Sequence, residues 1–141
     1  MDFKKTETST ASIYKDKNEI IHVVMREGAR MDYDDALDHY LVIKDLSGNA
    51  PVLKLIDSRA DWSIHPKARR FLVGKEVKEK TIARAIVHNA SLKTVLMIFF
   101  NEMNKPEVPT KIFTEYDKAY EWLLEVRQLA VGSLWSIVYS R

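Results

Sequence analysis

Hydrophobic and polar positions change period along this chain, and each change marks an element. Two short β-type runs, Ala11–Lys15 and residues 19–26, flank the turn-forming Asp16, Lys17 and Asn18, so a hairpin is expected. In the second run Ile20, His22 and Val24 point one way and Ile21, Val23 and Met25 the other. Both faces are largely apolar, which predicts a buried central strand. Asp32 then opens a helix, with Asp34 and Asp35 in the first turn, where acceptors and negative charge suit the free N–H groups. Ala36, Leu37, Tyr40, Leu41 and Lys44 form its expected inward stripe, and Gly48 and Asn49 end it. Residues 51–57 read as a strand, with Val52, Leu53, Leu55 and Ile56 covering both faces.

His65 and Pro66 mark the next helix start, because proline at the first helical position loses only an N–H that would be unpaired there. Ser63 is an alternative cap. This helix runs through Phe71 and Leu72, falters at Gly74 and resumes briefly in a charged stretch. Residues 81–88 form a further strand, with Ile82 and Ile86 on one face and Ala83, Ala85 and Val87 on the other; Arg84 shares the isoleucine face, which predicts partial cover there. From Ser91 a helix carries Leu92, Val95, Leu96, Phe99 and Met103 at helical spacing and ends before Pro106. Met97, Ile98 and Phe100 make it apolar nearly all round, so it must be buried on more than one side. Residues 109–113 are a fifth strand. The segment from Thr114 to Asp117 resembles a capping box for a last helix whose stripe is Ala119, Trp122, Leu123 and Val126. An apolar tail follows Gly132, with Leu134, Trp135, Ile137, Val138 and Tyr139.

The order predicts one α/β domain: a mixed sheet of about five strands, begun by an antiparallel hairpin and continued by right-handed parallel β-α units, with about four helices. Residues 1–10 are expected to be a flexible N-terminus and 11–130 the domain. Residues 131–141 are expected to form a tail that packs on the domain or on an interface.

Composition narrows the functional classes. At 141 residues, 46% hydrophobic and 30% charged, the chain can bury a core without staples and is too apolar for disorder. The absence of cysteine excludes disulfides, thiolate nucleophiles and cysteine-ligated zinc, and it fits a reducing compartment, so a cytoplasmic location is expected. Residues 1–12 carry no apolar leader core, and the longest continuous apolar stretch, residues 95–100, is too short to cross a bilayer. The net charge of +2 comes from mixed signs. The densest basic stretch, Lys67, Arg69, Arg70, Lys75, Lys78 and Lys80, is interrupted by Glu76 and Glu79, so it reads as a solvated face rather than a nucleic-acid surface.

Little here resembles catalytic machinery. His22, His39, His65 and His88 lack metal-ligand spacing, and glycines at 28, 48, 74 and 132 form no phosphate loop. A non-catalytic regulatory or protein-interaction module without metal or cofactor is expected, acting with a protein partner or as a homodimer, with a carrier or sensor of a small apolar or lipid-like ligand as the alternative. In open parallel sheets ligands sit beyond the carboxyl ends of strands. Asp57, Ser58 and Arg59, then His88 and Asn89, then Thr114 would meet there as a small polar or anionic pocket, unless they do ordinary turn and capping work. Ser63, near a helix N-terminus, is a candidate phosphorylation site or simply a loop residue. Met97, Ile98 and Phe100, together with Trp135, Ile137 and Tyr139, would make a patch too large to leave wet. The tail folding back, a homodimer interface or a groove for a small apolar or lipid-like ligand would each cover it.

The element order, with Asn104-Lys105-Pro106, Pro109, Lys111, Phe113-Thr114, Ala119 and Trp122-Leu123, resembles the STAS-like proteins related to the sporulation anti-anti-sigma factor and grouped with SEC14-type domains. The resemblance covers residues 19 to 126. The strand Ala83-Arg84-Ala85-Ile86-Val87 followed by Phe99-Phe100-Asn101 is similar to an uncharacterised bacterial branch of that group. The resemblance implies a non-enzymatic module for partner switching, transporter regulation or binding of small or lipidic ligands. Characterised members carry a phosphorylatable serine in an Asp-Ser pair at a helix start. Here those positions fall on His65 and Pro66, so that switch is expected to be missing.

Overall fold

The computed structural model describes residues 4–89 and 108–139, with residues 130–139 described by backbone alone. Its strands are β1 (Thr6–Glu7), β2 (Ala11–Lys15), β3 (Ile20–Met25), β4 (Ala29–Met31), β5 (Val52–Asp57), β6 (Trp62–Ile64), β7 (Thr81–Val87) and β8 (Thr110–Phe113). Its helices are α1 (Tyr33–Ser47), α2 (Pro66–Leu72), α3 (Lys75–Glu79) and α4 (Tyr116–Tyr139). The main sheet has the order β1-β2-β3-β5-β7-β8. β2 is antiparallel to both β1 and β3, and β3, β5, β7 and β8 run parallel. The mixed sheet and its hairpin start are as the sequence predicts, with one strand more than expected: Thr6 and Glu7 pair with Ile13 and Ser12 on the outer edge of β2. A separate parallel ribbon joins β4 to β6.

Alternation along the strands sorts the core into two layers. Ile20, Leu53, Leu55, Ala83, Ala85 and Val87 pack against Ala119 and Leu123 of α4. On the opposite face Ile13, Ile21, Val23, Met25 and Val52 pack with Ala36 and Ile43 of α1 and Ala68 of α2. Lys54, Ile56, Arg84 and Ile86 belong to this second layer by the same alternation. Ile82 is exposed while Ile86 is fully buried, so cover over this face is partial, as expected, but Arg84 lies under the covered part.

Local chemistry sets the helix ends. The Asp35 N–H donates to Asp32 Oδ1 (3.0 Å) and the Asp32 N–H to Asp35 Oδ2 (2.9 Å), a reciprocal cap that satisfies two free donors of α1. Gly48 closes the helix at φ 63°, a left-handed conformation that glycine adopts without strain. The buried stripe of α1 is Ala36, His39 and Ile43; Leu41 and Lys44 are exposed, contrary to the predicted stripe. His39 takes the inward position because its Nε2 meets Thr10 Oγ1 at 2.7 Å, and this turns the helix away from Leu41.

At α2 the cap is His65, whose Nδ1 accepts from the Lys67 N–H at 3.1 Å, followed by Pro66. Ser63 therefore does not cap: it lies exposed in the middle of β6, paired with Arg30. The first turn of α4 is closed by the Ala119 N–H donating to the Glu115 carbonyl, which puts Thr114 before the cap position rather than on it. α4 runs unbroken through Gly132 to Tyr139, so the stretch carrying Trp135, Ile137 and Tyr139 continues the helix instead of starting a separate tail. The expected helix from Ser91, with Met97, Ile98 and Phe100, lies outside the described residues. No helix among the described residues is long and apolar enough to cross a membrane.

Candidate functional site

Parallel pairing brings the predicted strand-end residues side by side. Asp57 is in register with Val87, and Val87 with Phe113, while the Ser58 N–H donates to the Val87 carbonyl (2.8 Å) and the His88 N–H to the Phe113 carbonyl (2.9 Å). Their side chains are differently occupied. Ser58 is fully buried and its Oγ accepts from Trp62 Nε1 at 2.6 Å. Arg59 clasps Asp57 through Nε (2.9 Å) and Nη2 (2.7 Å). Burial alone would raise the Asp57 carboxyl, but these bonds bring it below its ordinary value. His88 is buried, which lowers its pKa against the opposing charge of Asp61. Asn89 and Thr114 are exposed.

The Arg59 guanidinium also lies over the Tyr116 ring, 5.9 Å from its centroid, and so joins the strand ends to a second polar group on the α4 face. There His22, in the central strand, stacks on Tyr14 with centroids 4.5 Å apart. Its Nε2 lies 2.8 Å from Asp16 Oδ2 and its Nδ1 meets the Tyr116 hydroxyl. Asp16 also accepts from Tyr120 Oη (2.7 Å) and from the N–H groups of Asn18 (2.8 Å) and Ile20 (3.1 Å). Burial works to raise this carboxyl, and the bonds from His22, Tyr120, Ile20 and Asn18 together hold it below the usual range. An ionised carboxylate only accepts, so Nε2–H donates to Asp16, and in the neutral ring Nδ1 accepts from Tyr116. Burial, then its bond with Tyr14 and the charges of Asp57 and Asp16, push the Tyr116 phenol up. Every polar side chain here has partners, so the network ties α4 to the β2–β3 turn across about a hundred residues of sequence.

The opposite layer differs. Two adjoining cavities of about 50 Å³ each lie between the sheet and the α1, α2 and α3 layer. They share Lys54, Ile56, Leu72 and Val77; one extends past Met25, Met31 and Ile43, the other to Arg84. Lys54 and Arg84 are register partners on neighbouring strands, on the same face, and each is 8% exposed. No Asp or Glu lines either cavity, and no carboxylate among the described residues reaches salt-bridge distance of either cation. Arg84 Nε is buried without a hydrogen-bond partner among the described residues. Burial first, then the charge of Arg84, brings Lys54 down to about 7 from 10.5, and burial lowers Arg84 as well. His39 lines the first cavity; burial lowers it to about 4, against the charge of Asp35 and reinforced by Lys54. None of these three was singled out in the sequence as a site residue. No metal-ligand cluster of three or more His, Cys, Asp or Glu side chains occurs among the described residues.

The architecture is similar to the crystal structure of an uncharacterised protein from the DUF3478 family with a SpoIIAA-like fold, from Shewanella loihica PV-4. The TM-score is 0.54 at 15% identity, covering 80% of this chain and 91% of that chain. At that identity the likeness shows the fold alone, a SpoIIAA-like fold, which is the fold the sequence resemblance implies. No curated protein matches the sequence. Residues 14–127 match DUF7793, a domain of unknown function, and because that match spans most of the chain, the protein belongs to this family.

Proposed function

We propose that this chain is a non-catalytic regulatory module of STAS-like type that holds a small ligand between its sheet and the α1–α2–α3 layer and presents the effect on the outer surface of those helices. The observation that carries this reading is the pair of adjoining, mostly apolar cavities beneath α2 and α3. Those helices are only seven and five residues long, with a break at Gly74 between them. So short a pair draws its stability from packing rather than from its own hydrogen bonds, and what fills the space below it governs its position. Above the cavities, Phe71 packs edge-on against Tyr33 and Tyr40 of α1, which links the cavity layer to an aromatic outer surface. The strand-end residues Asp57, Ser58, Arg59, His88, Asn89 and Thr114 serve in this reading as turn and packing groups at the ends of β5, β7 and β8, and Ser63 as a surface residue.

The test is two-dimensional amide NMR of the labelled protein against a panel of small amphiphiles. Saturable shifts confined to residues around Val23, Ile43, Ile56, Leu72 and Val77 support the reading; an unchanged spectrum throughout the panel removes it.

A second reading, a homodimer or other protein interface, is favoured by Leu129 on α4, which is 69% exposed where the apolar end of that helix begins. Met97, Ile98, Phe100, Trp135, Ile137 and Tyr139 are the residues it would use. Sedimentation velocity over a wide concentration range tests it: a mass that stays monomeric speaks against the homodimer, and a Leu129→Asp variant that loses association locates the contact.

A further inference from the structure

We propose that the cavity beside Lys54 and Arg84 is an anion site whose ligand is a small carboxylate on a short apolar chain, an assignment that rests on the ligand-holding reading above. Two cations sit side by side on the central strands β5 and β7, each more than nine-tenths buried, with no acid among the described residues at salt-bridge distance. Like charges directly opposite one another in a sheet destabilise it, and a buried charge is normally paired. A fold that serves only its own stability would place a carboxylate or apolar residues there. Arg84 Nε is a buried donor without a hydrogen-bond partner among the described residues, and Arg84 lines the second cavity.

The rest of the lining defines the remainder of the ligand. Ile56, Leu72 and Val77 border both cavities, and Met25, Met31 and Ile43 continue one of them. This largely apolar surface fits methylenes. Each cavity, at about 50 Å³, is smaller than the roughly 150 Å³ that takes up a benzene ring, so the chain is short. A carboxylate suits the head because it accepts from both the Lys54 ammonium and the Arg84 guanidinium, and such charge-assisted bonds strengthen away from water. His39, Tyr40, Arg69 and Arg84 are the other titratable groups that line the two cavities beside Lys54, from α1, α2 and β7, and none of them is a carboxylate.

The experiment uses three probes of one chain length, propionate, 1-propanol and propylammonium, in amide NMR titrations of the full chain and of Lys54→Met and Arg84→Met. The expected result is saturable shifts around Ile56, Leu72 and Val77, with propionate bound about tenfold or more tightly than 1-propanol. Both variants then lose that preference while still binding the alcohol. Equal binding of acid and alcohol, or a preference for the ammonium, overturns the anion assignment and leaves the cavity reading standing. Silence from all three overturns both. Lys54→Met removes a buried charge without a paired acid, so it is expected to fold; a variant that unfolds shows that Lys54 is compensated in the empty protein, which overturns the assignment, and Arg84→Met then reads whether the alcohol still binds.

Discussion

Replacing Lys54 with methionine removes an ammonium and keeps an unbranched apolar chain in its place, and the expected outcome is a more stable protein at neutral pH. In the unfolded chain Lys54 titrates near its ordinary 10.5, whereas burial and then Arg84 bring it to about 7 in the fold. Between those values the unfolded state holds a proton that the folded state lacks. Stability of the parent protein therefore rises with pH across that window, by about 1.4 kcal/mol per pH unit where the difference is complete. The penalty is fully present below about pH 7 and gone above the unfolded value. The drop from 10.5 to about 7 sets an upper bound of about 5 kcal/mol. Replacements of buried ionic groups by packed apolar residues gain roughly 1–4 kcal/mol, which is the gain expected near pH 6.5. Urea unfolding of both proteins at about pH 6.5, 8 and 9.5 reads it, since the two stabilities must converge as the pH rises. A constant gain across that range, or a loss at the lowest pH, refutes the reasoning, because either means that the Lys54 charge is not an uncompensated burial.

Carboxylate binding should couple to the same proton: the ammonium is the binding form, His39 stays neutral above its value of about 4, and propionate affinity is expected to weaken about tenfold between pH 6 and 8, read by NMR titration. His39 itself is lowered from 6.5 to about 4, so the unfolded chain takes up its proton first as the solution is acidified. Stability is lost between those values by at most about 3 kcal/mol, and His39→Gln is expected to flatten this part of the denaturation profile. Asp16→Ala leaves His22, Tyr120 and two backbone N–H groups without their acceptor and is expected to cost about 3 kcal/mol in urea unfolding. Asp32→Ala removes one half of the α1 cap and is expected to cost about 1 kcal/mol by the same assay.

Features set by a few neighbouring residues were legible in the sequence. Asp32 with Asp35, Gly48 in the left-handed region, and Pro66 behind His65 each act within one turn, so their residue types announce them. The face assignments of β3 and β7 follow from strand alternation in the same way. Pairings between distant short segments were not legible. β4 and β6 are three residues each, too short to show a period, and they exist because residues thirty-three apart, Ala29 and Trp62, meet. β6 is what draws Ser63 into a strand instead of a cap. His39 was misplaced because a hydropathy pattern counts it as polar, and only its Thr10 partner makes the inward position acceptable. The His22 network joins Asp16 to Tyr116 and Tyr120 across 94 to 104 residues and has no local trace beyond a histidine in an apolar strand.

Lys54 and Arg84 belong between these cases. Residues 51–57 are apolar on both faces, which already requires a strand covered on both sides, and a lysine inside such a run is buried whichever way it points. The same argument applies to Arg84 between Ala83 and Ala85. What the pattern lacks is register: only the pairing of β5 with β7 puts the two cations directly beside each other, and only the α1–α3 layer seals them in. The contrast with the α4 face gives the observation its force. There His22, Asp16 and both tyrosines are also buried or half-buried, yet each polar group has a partner within the chain, as a network selected for stability requires. Among the described residues the fold satisfies one buried polar cluster fully and carries two buried cations without an acid on its other face, and an anionic ligand is the complement that the second cluster would take.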